Sequence, residues 1–261
     1  MTEFNLNPNL DTQFRECIKN QGDFLYDLNL TILLLTSEII APNPLFSIDM
    51  QGHKVLPVFT TEEDWKIFMN SLSNPPENIT WNAVSLNIFW QAFLPTEMDT
   101  IAFNLKVTEQ TASDNLFYFN KERLNEFLDN NSKMINAVVN EENAKAPKLE
   151  KNYYIPLILG VYPNTEDIYR AFTVLQAQDG KEYVPIFDTL DSFALWYNNP
   201  MLTTSFKENR GQVHALKISQ LLDPQYGKNE FGNAAGFVIN PMEVDMNNPS
   251  DSIILWTDIN S

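Results

Sequence analysis

Acid–base catalysis and metal binding lean heavily on histidine, and this 261-residue chain has two, His53 and His214. His53 directly follows Gly52, a turn position, and His214 opens an apolar run. Neither has a second histidine or a cysteine nearby in sequence, so the ligand spacing of a zinc site is missing. Cys17 is the single cysteine. An intramolecular disulfide is therefore impossible, and Cys17 shares a helical stripe with Phe14 and Ile18, the setting of a small buried hydrophobe rather than of a nucleophile. Glu62-Glu63-Asp64 could be read as a carboxylate cluster for a cation. Its place at the start of a helical pattern has a simpler cause, because the helix dipole favours negative charge there. Asp223 to Glu230 mixes acidic, Asn and Gly residues without the ligand order of a calcium loop. The stretch Gly227 to Gly236 bears glycines but lacks both phosphate-loop patterns, and no serine stands in G-x-S-x-G. No catalytic, metal or cofactor-binding residue is assigned, and no cofactor is expected. Should a ligand cleft lie between two modules, His214 and Asn240 are its polar candidates.

The elements that would position these residues are written twice. Leu45 to Phe59 aligns with Thr173 to Phe187 at a shift of 128, matching Gly52 with Gly180, Pro57 with Pro185 and Phe59 with Phe187. In both, an alternating run reaches a Gln-Gly or Asp-Gly turn and a second alternating run returns, which predicts a β-hairpin. The proline near the end of the second strand cannot donate to a ladder and marks an edge or an exit. A helix follows. Thr60 and Glu63 have capping-box spacing, Asp188 and Asp191 stand at the matching positions, and Trp65, Phe68, Met69 and Leu72 form a core-facing stripe answered by Phe193, Trp196 and Tyr197. Later strands pair Val84–Ile88 with His214–Ile218 at a shift of 130, and Ala102–Leu105 with Gly236–Ile239 at 134. Each copy opens with a short helix (Phe14, Cys17, Ile18; then Met134, Ala137, Val138) before a β run, Leu30–Thr36 or Tyr153–Leu159. Lys121 to Asn131 is helical in pattern and joins the copies. The expected architecture is α/β: two tandem modules, 1–125 and 126–261, each a small mixed sheet with packed helices. The two copies are expected to pack as a pseudo-twofold pair.

Asp179-Gly180-Lys181, Val184-Pro185-Ile186-Phe187, Phe193, Ala215-Leu216 and Gly236 to Pro241 together resemble the SseB N-terminal domain family of bacterial cytoplasmic proteins. In the first copy the resemblance covers Gly52 to Phe59 and Thr60 to Trp65, while the last strand there reads Ala102-Phe103-Asn104-Leu105-Lys106, without the Gly and the Asn-Pro. The resemblance implies a small α/β fold with a mixed sheet and supplies no catalytic residues.

Charge narrows the partners. The chain has 34 acidic and 17 basic residues, a net charge of -17, and the excess is spread along it. Such a surface repels nucleic-acid phosphates and anionic membranes and attracts basic proteins. The N-terminus lacks the basic-then-apolar order of a signal peptide. The most apolar run, Leu30 to Leu35, is far shorter than the ~20 residues of a membrane helix. These features predict a cytoplasmic, non-catalytic binding or regulatory protein that engages a basic partner, an immunity-like role being one concrete form of it. The alternative is an enzyme or metabolite sensor with an inter-module site.

Overall fold

The computed structural model describes residues 4–50, 52–106, 115–164, 166–177, 180–222, 231–244 and 249–259. Gln51, Asp179 and the Asp223–Glu230 stretch lie outside the described residues. The fold is α/β, and the chain forms two compact units, Met1–Ser132 and Lys133–Ser261.

In the first unit, α1 (Pro8–Lys19) starts where the Asn7 side chain accepts the Asn9 amide and Pro8 supplies a helical φ without needing a partner for its nitrogen. It buries Leu10, Phe14 and Cys17. The Leu30–Thr36 run, expected as a strand, is instead the second half of α2 (Phe24–Thr36), which Asp23 caps. Leucine favours helix, and this segment is apolar nearly all round because it is largely covered. The first strand comes later, as β1 (Glu38–Asn43). Then follow β2 (Ile48–Met50), β3 (His53–Val58), α3 (Glu62–Ser71), β4 (Thr80–Ser85), α4 (Leu86–Phe93), β5 (Thr100–Phe103) and β6 (Phe117–Asn120). The expected linker helix and the expected opening helix of the second copy are one element, α5 (Lys121–Val139), and the two compact units divide within it, after Ser132.

The second unit continues with α6 (Glu141–Lys145), β7 (Asn152–Val161), β8 (Ile168–Phe172), β9 (Leu175–Gln176), β10 (Glu182–Ile186), α7 (Leu190–Tyr197), α8 (Pro200–Glu208), β11 (Gln212–Lys217), α9 (Ile218–Leu221), β12 (Gly236–Ile239), β13 (Ile253–Leu255) and α10 (Trp256–Ile259).

Strand pairing follows one plan in both units. In the first, β2-β3-β5-β6 form a sheet in which β3 and β5 run parallel and the outer pairs antiparallel. In the second, β9-β10-β12-β13 repeat this, with β10 and β12 parallel. An antiparallel ladder, β1 with β4 or β7 with β11, joins through a single bridge, Ile40 to Phe59 or Tyr154 to Phe187. The registers correct three alignments. Pro57 faces Ala102 and Pro185 faces Val238, so the last strands correspond at a shift of 136 and not 134. Ile40 faces Ala83 and Tyr154 faces Ala215, so the middle strands correspond at 132 and not 130. Leu86-Asn87-Ile88 leaves the strand altogether and opens α4. The hairpins differ by one residue: Met50 pairs with His53 across two residues, whereas the Ala177 amide donates to the Lys181 carbonyl across three. Both use a left-handed glycine, Gly52 at φ 87° and Gly180 at φ 79°.

Pro57 and Pro185 lie in central strands. The carbonyls of Val58 and Ile186 point to the parallel neighbour, accepting from Asn104 and Asn240. The adjacent prolines therefore turn their donor-less side the other way, past the last paired residue of β2 or β9.

Alternation along the strands fills both sheet faces. In the first unit Leu56, Val58, Ile101 and Phe103 meet α1, α2, α4 and α5, while Phe59, Trp81 and Ala102 meet Phe68 of α3. In the second, Val184, Ile186 and Phe237 meet α9 on one face. On the other, Phe187 packs on Phe193 and Trp196 of α7 at 5.3 and 5.4 Å. Gly236 is required for a steric reason: a Cβ there would sit 2.0 Å from the Ile254 carbonyl oxygen. Gly236→Ala is expected to destabilise the second unit by roughly 1–3 kcal/mol through forced separation of β12 and β13. Urea unfolding indistinguishable from wild type would refute this.

Candidate functional site

Ligands of open α/β sheets gather at the carboxyl ends of parallel strands, where connections diverge. Each unit has one such place, beyond β3 and β5 or beyond β10 and β12, and each is built on an asparagine. Asn104 has φ 56° and Asn240 φ 47°, left-handed values that asparagine tolerates better than most residues. The backbone amide of Asn104 donates to the Val58 carbonyl at 2.8 Å, and that of Asn240 to Ile186 at 2.9 Å. The side-chain oxygen accepts from the backbone amide of Thr60 at 2.8 Å, or of Asp188 at 3.1 Å. The side-chain nitrogen donates to Thr60 Oγ1 at 2.9 Å, or to Asp188 Oδ1 at 2.7 Å. This latch closes the parallel pair at its exit. The first unit thus keeps the asparagine that the alignment at 134 had assigned to the second unit alone; the glycine and the proline are replaced, by Thr100 and Leu105.

The helix after the latch is capped one residue later than expected. Thr61 Oγ1 accepts from the Asp64 amide, and Thr189 Oγ1 from the Ser192 amide. Thr60 and Asp188, expected as caps, hold the latch.

Beyond the latch the units differ. In the first, the space is filled by the protein's own polar groups. Thr60 Oγ1 donates to Asp11 Oδ1 of α1 at 3.2 Å, and the Asn115 side-chain amide donates to Asp11 and, at 2.8 Å, to Asp64 Oδ2. The Lys106 ammonium is bound to Asp64 Oδ1, and Arg15 Nε reaches Asp11 at 2.9 Å. Thr60, Asp64, Asn104 and Asn115 are all buried. Burial works against the charge of Asp64, but the hydrogen bonds from Lys106, Thr61 and Asn115 and the Lys106 charge outweigh it and hold the carboxyl below the usual carboxylate range.

In the second unit the corresponding place is open, a cavity of about 420 Å³ lined by Lys148, Lys151, Asp188, Asn240, Glu243 and Asp251 among others. Lys151 Nζ lies 3.2 Å from Asp188 Oδ2 and over the Tyr153 ring, 5.8 Å from its centroid. Lys148 Nζ donates to the Asp251 main-chain carbonyl at 2.7 Å. The Ser192 hydroxyl, at the position of Asp64, donates to Glu243 Oε2. Sequence reasoning missed both lysines because they sit in a loop with no motif; their legible signal was closeness to the β7 start.

Of the residues singled out from sequence, Asn240 lines this cavity. His214 does not. It lies on β11 against Gln212 Oε1 at 3.2 Å, and burial together with the Arg170 charge keeps its imidazole below the usual histidine range. His53 is exposed, 3.7 Å from Asp99. Cys17 is buried and donates to the Tyr26 carbonyl at 3.3 Å. Burial, then the carboxylates of Asp27, Asp23 and Glu16, push its thiol up to about 12. Glu62 and Glu63 face outward in the first turn of α3, while Asp64 turns inward to Lys106. No group of three or more metal-ligating side chains occurs among the described residues, and no helix among them is long and apolar enough to cross a membrane.

Comparison with protein-family models, with curated proteins and with solved structures finds no match to this chain.

Proposed function

We propose that the chain is a tandem duplication of one SseB-type module that serves as a non-catalytic, cytoplasmic binding protein and docks a basic protein through its carboxylate-rich surface. The shared pairing plan and the repeated asparagine latch support the duplication. The observation that carries the binding role is how the charges are placed. Cations pair with neighbouring carboxylates, as in Lys19–Glu16, Lys66–Glu62, Lys145–Glu141 and Lys217–Glu150. Even if all 17 cations were paired one to one, 17 of the 34 carboxylates would remain. Glu38, Glu63, Glu77, Glu126, Glu142 and Asp191 are exposed. A field of that sign steers a basic partner and weakens with salt. A protonated, buried thiol at Cys17 and an imidazole biased to its neutral form at His214 fit a role without nucleophilic or metal chemistry.

The test is affinity capture from host lysate at low salt with a salt-gradient elution, beside a variant carrying Glu38→Gln, Glu63→Gln, Glu77→Gln and Glu126→Gln. A stoichiometric basic protein that leaves the variant at lower salt than the wild type is expected. A complex indifferent to salt and to the four substitutions, or no stoichiometric partner at all, would sink the proposal. A second reading, a small-ligand sensor or enzyme, is favoured by one observation, the open polar crevice of the second unit.

A further inference from the structure

We propose that the crevice beyond β10 and β12 binds a small zwitterion, a molecule of amino-acid size carrying one ammonium and one carboxylate. The inference rests on the second reading above and is independent of any basic protein partner.

Three observations converge on it. The place is a built one: in the first unit the equivalent space is closed by Asp11, Asn115 and Lys106, so the scaffold there surrounds polar groups and satisfies them. In the second unit the pairs there are Lys151 with Asp188 and Ser192 with Glu243, and among the described residues a cavity of about 420 Å³ stands open beside them. That volume is at the small end of the ~300–1,000 Å³ usual for small-molecule sites, which limits the ligand to a compact one.

The lining carries both signs of charge. Lys148 and Lys151 supply ammonium groups, each with three donors. The bonds named above, to the Asp251 carbonyl and to Asp188, engage one donor apiece. Glu243 supplies a carboxylate whose Oε2 accepts from Ser192, leaving Oε1 outside that bond. A simple anion such as phosphate would meet Glu243 and Asp251, and a simple amine would meet the two lysines. A molecule with both charges can place its carboxylate toward Lys148 and Lys151 and its ammonium toward Glu243, so that neither sign of the lining opposes it.

The latch fixes the geometry. Asn240 is bonded through its side-chain oxygen and nitrogen to Asp188, and Asp188 in turn holds Lys151. Lys151 is thus oriented from behind, which lowers the ordering cost of receiving a carboxylate.

The experiment is thermal unfolding and calorimetric titration of the full chain with free L-amino acids and 4-aminobutyrate, against butylamine and butyrate as single-charge controls. Zwitterions are expected to raise Tm and titrate with one site, and the single-charge controls to do neither. Lys148→Met and Glu243→Gln should each weaken binding roughly tenfold or more, the loss of one charge-assisted contact. Both lie at the surface, and circular dichroism with the unliganded Tm checks that each variant is folded. Absence of binding by every zwitterion, equal binding of either single-charge control, or binding that survives both substitutions would each overturn the proposal. None of these outcomes bears on salt-dependent capture of a basic protein, so the two proposals fail separately.

Discussion

Trp196→Ala is expected to destabilise the second unit by about 3–5 kcal/mol, the range for removing a large aromatic from a closed core. Trp196 is completely buried and its ring lies 5.4 to 5.8 Å from those of Phe187, Phe193 and Phe206. Three neighbouring rings, two of them on different elements from α7, cannot collapse together into the space that alanine would leave. Its indole N–H is buried and meets no acceptor among the described residues, so packing and not hydrogen bonding holds it there. Trp196→Phe removes that donor and keeps most of the aromatic contact, and about 1–2 kcal/mol is expected for it. Urea unfolding monitored by circular dichroism measures both. An alanine variant within 1 kcal/mol of wild type would show that this cluster does not hold the unit together.

The second large effect belongs to Asp64. Removing it takes away the carboxylate that pairs with the Lys106 ammonium, 9% exposed, and one of the two carboxylates, with that of Asp11, to which the Asn115 amide donates. Breaking a buried pair from one side costs about 3–5 kcal/mol, whereas replacing both partners by apolar groups is often neutral. Asp64→Ala is therefore expected to be severe, and Asp64→Leu combined with Lys106→Met distinctly milder. A double substitution as damaging as the single one would refute the pairing. The pH dependence has a definite sign. The folded carboxyl titrates below its ordinary 3.8, so its contribution is complete above that pH and fades as the pH falls toward the folded value. Wild-type stability should drop on acidification below about 3.8, and the Asp64→Leu/Lys106→Met protein should lack that part of the drop.

How far the sequence disclosed this structure depends on what kind of signal each element left. The hairpins were legible because the Gly52 and Gly180 turns and the flanking alternation are local and chemical. So was the α3 and α7 stripe, where spacing alone places Phe68 and Trp196 inward. α2 was not: Leu30 to Leu35 has no polar face to betray a helical period, and the deciding feature, the Asp23 cap, stands seven residues upstream. The Asn104 latch was missed for a different reason. Alignment by the apolar run set Phe103 against Phe237, but register is fixed by backbone pairing, which places Phe103 opposite Val58 and Ile239 opposite Ile186. A slip of two residues preserves inward and outward faces, so apolar pattern cannot detect it. The crevice was invisible because its lining is brought together from Lys148, Asp188, Asn240 and Asp251, far apart in sequence and without a shared motif.

The bridges Ile40–Phe59 and Tyr154–Phe187 have a consequence for how each unit comes apart. At each, two hydrogen bonds of 2.8 to 3.0 Å form the backbone seam between one ladder and the next. Within a ladder, opening one pair loosens its neighbours; across such a seam there are no neighbours to loosen. Each unit therefore has a natural cleavage plane, along which a partial opening could free one half-sheet while the other stays folded. Cooperativity across that plane rests on the side chains that straddle it, Ile39 and Ala41 beside Leu56 and Val58 in the first unit and Tyr153 and Ile155 beside Val184 and Ile186 in the second, so side chains rather than the ladder decide whether the unit melts as one body or two.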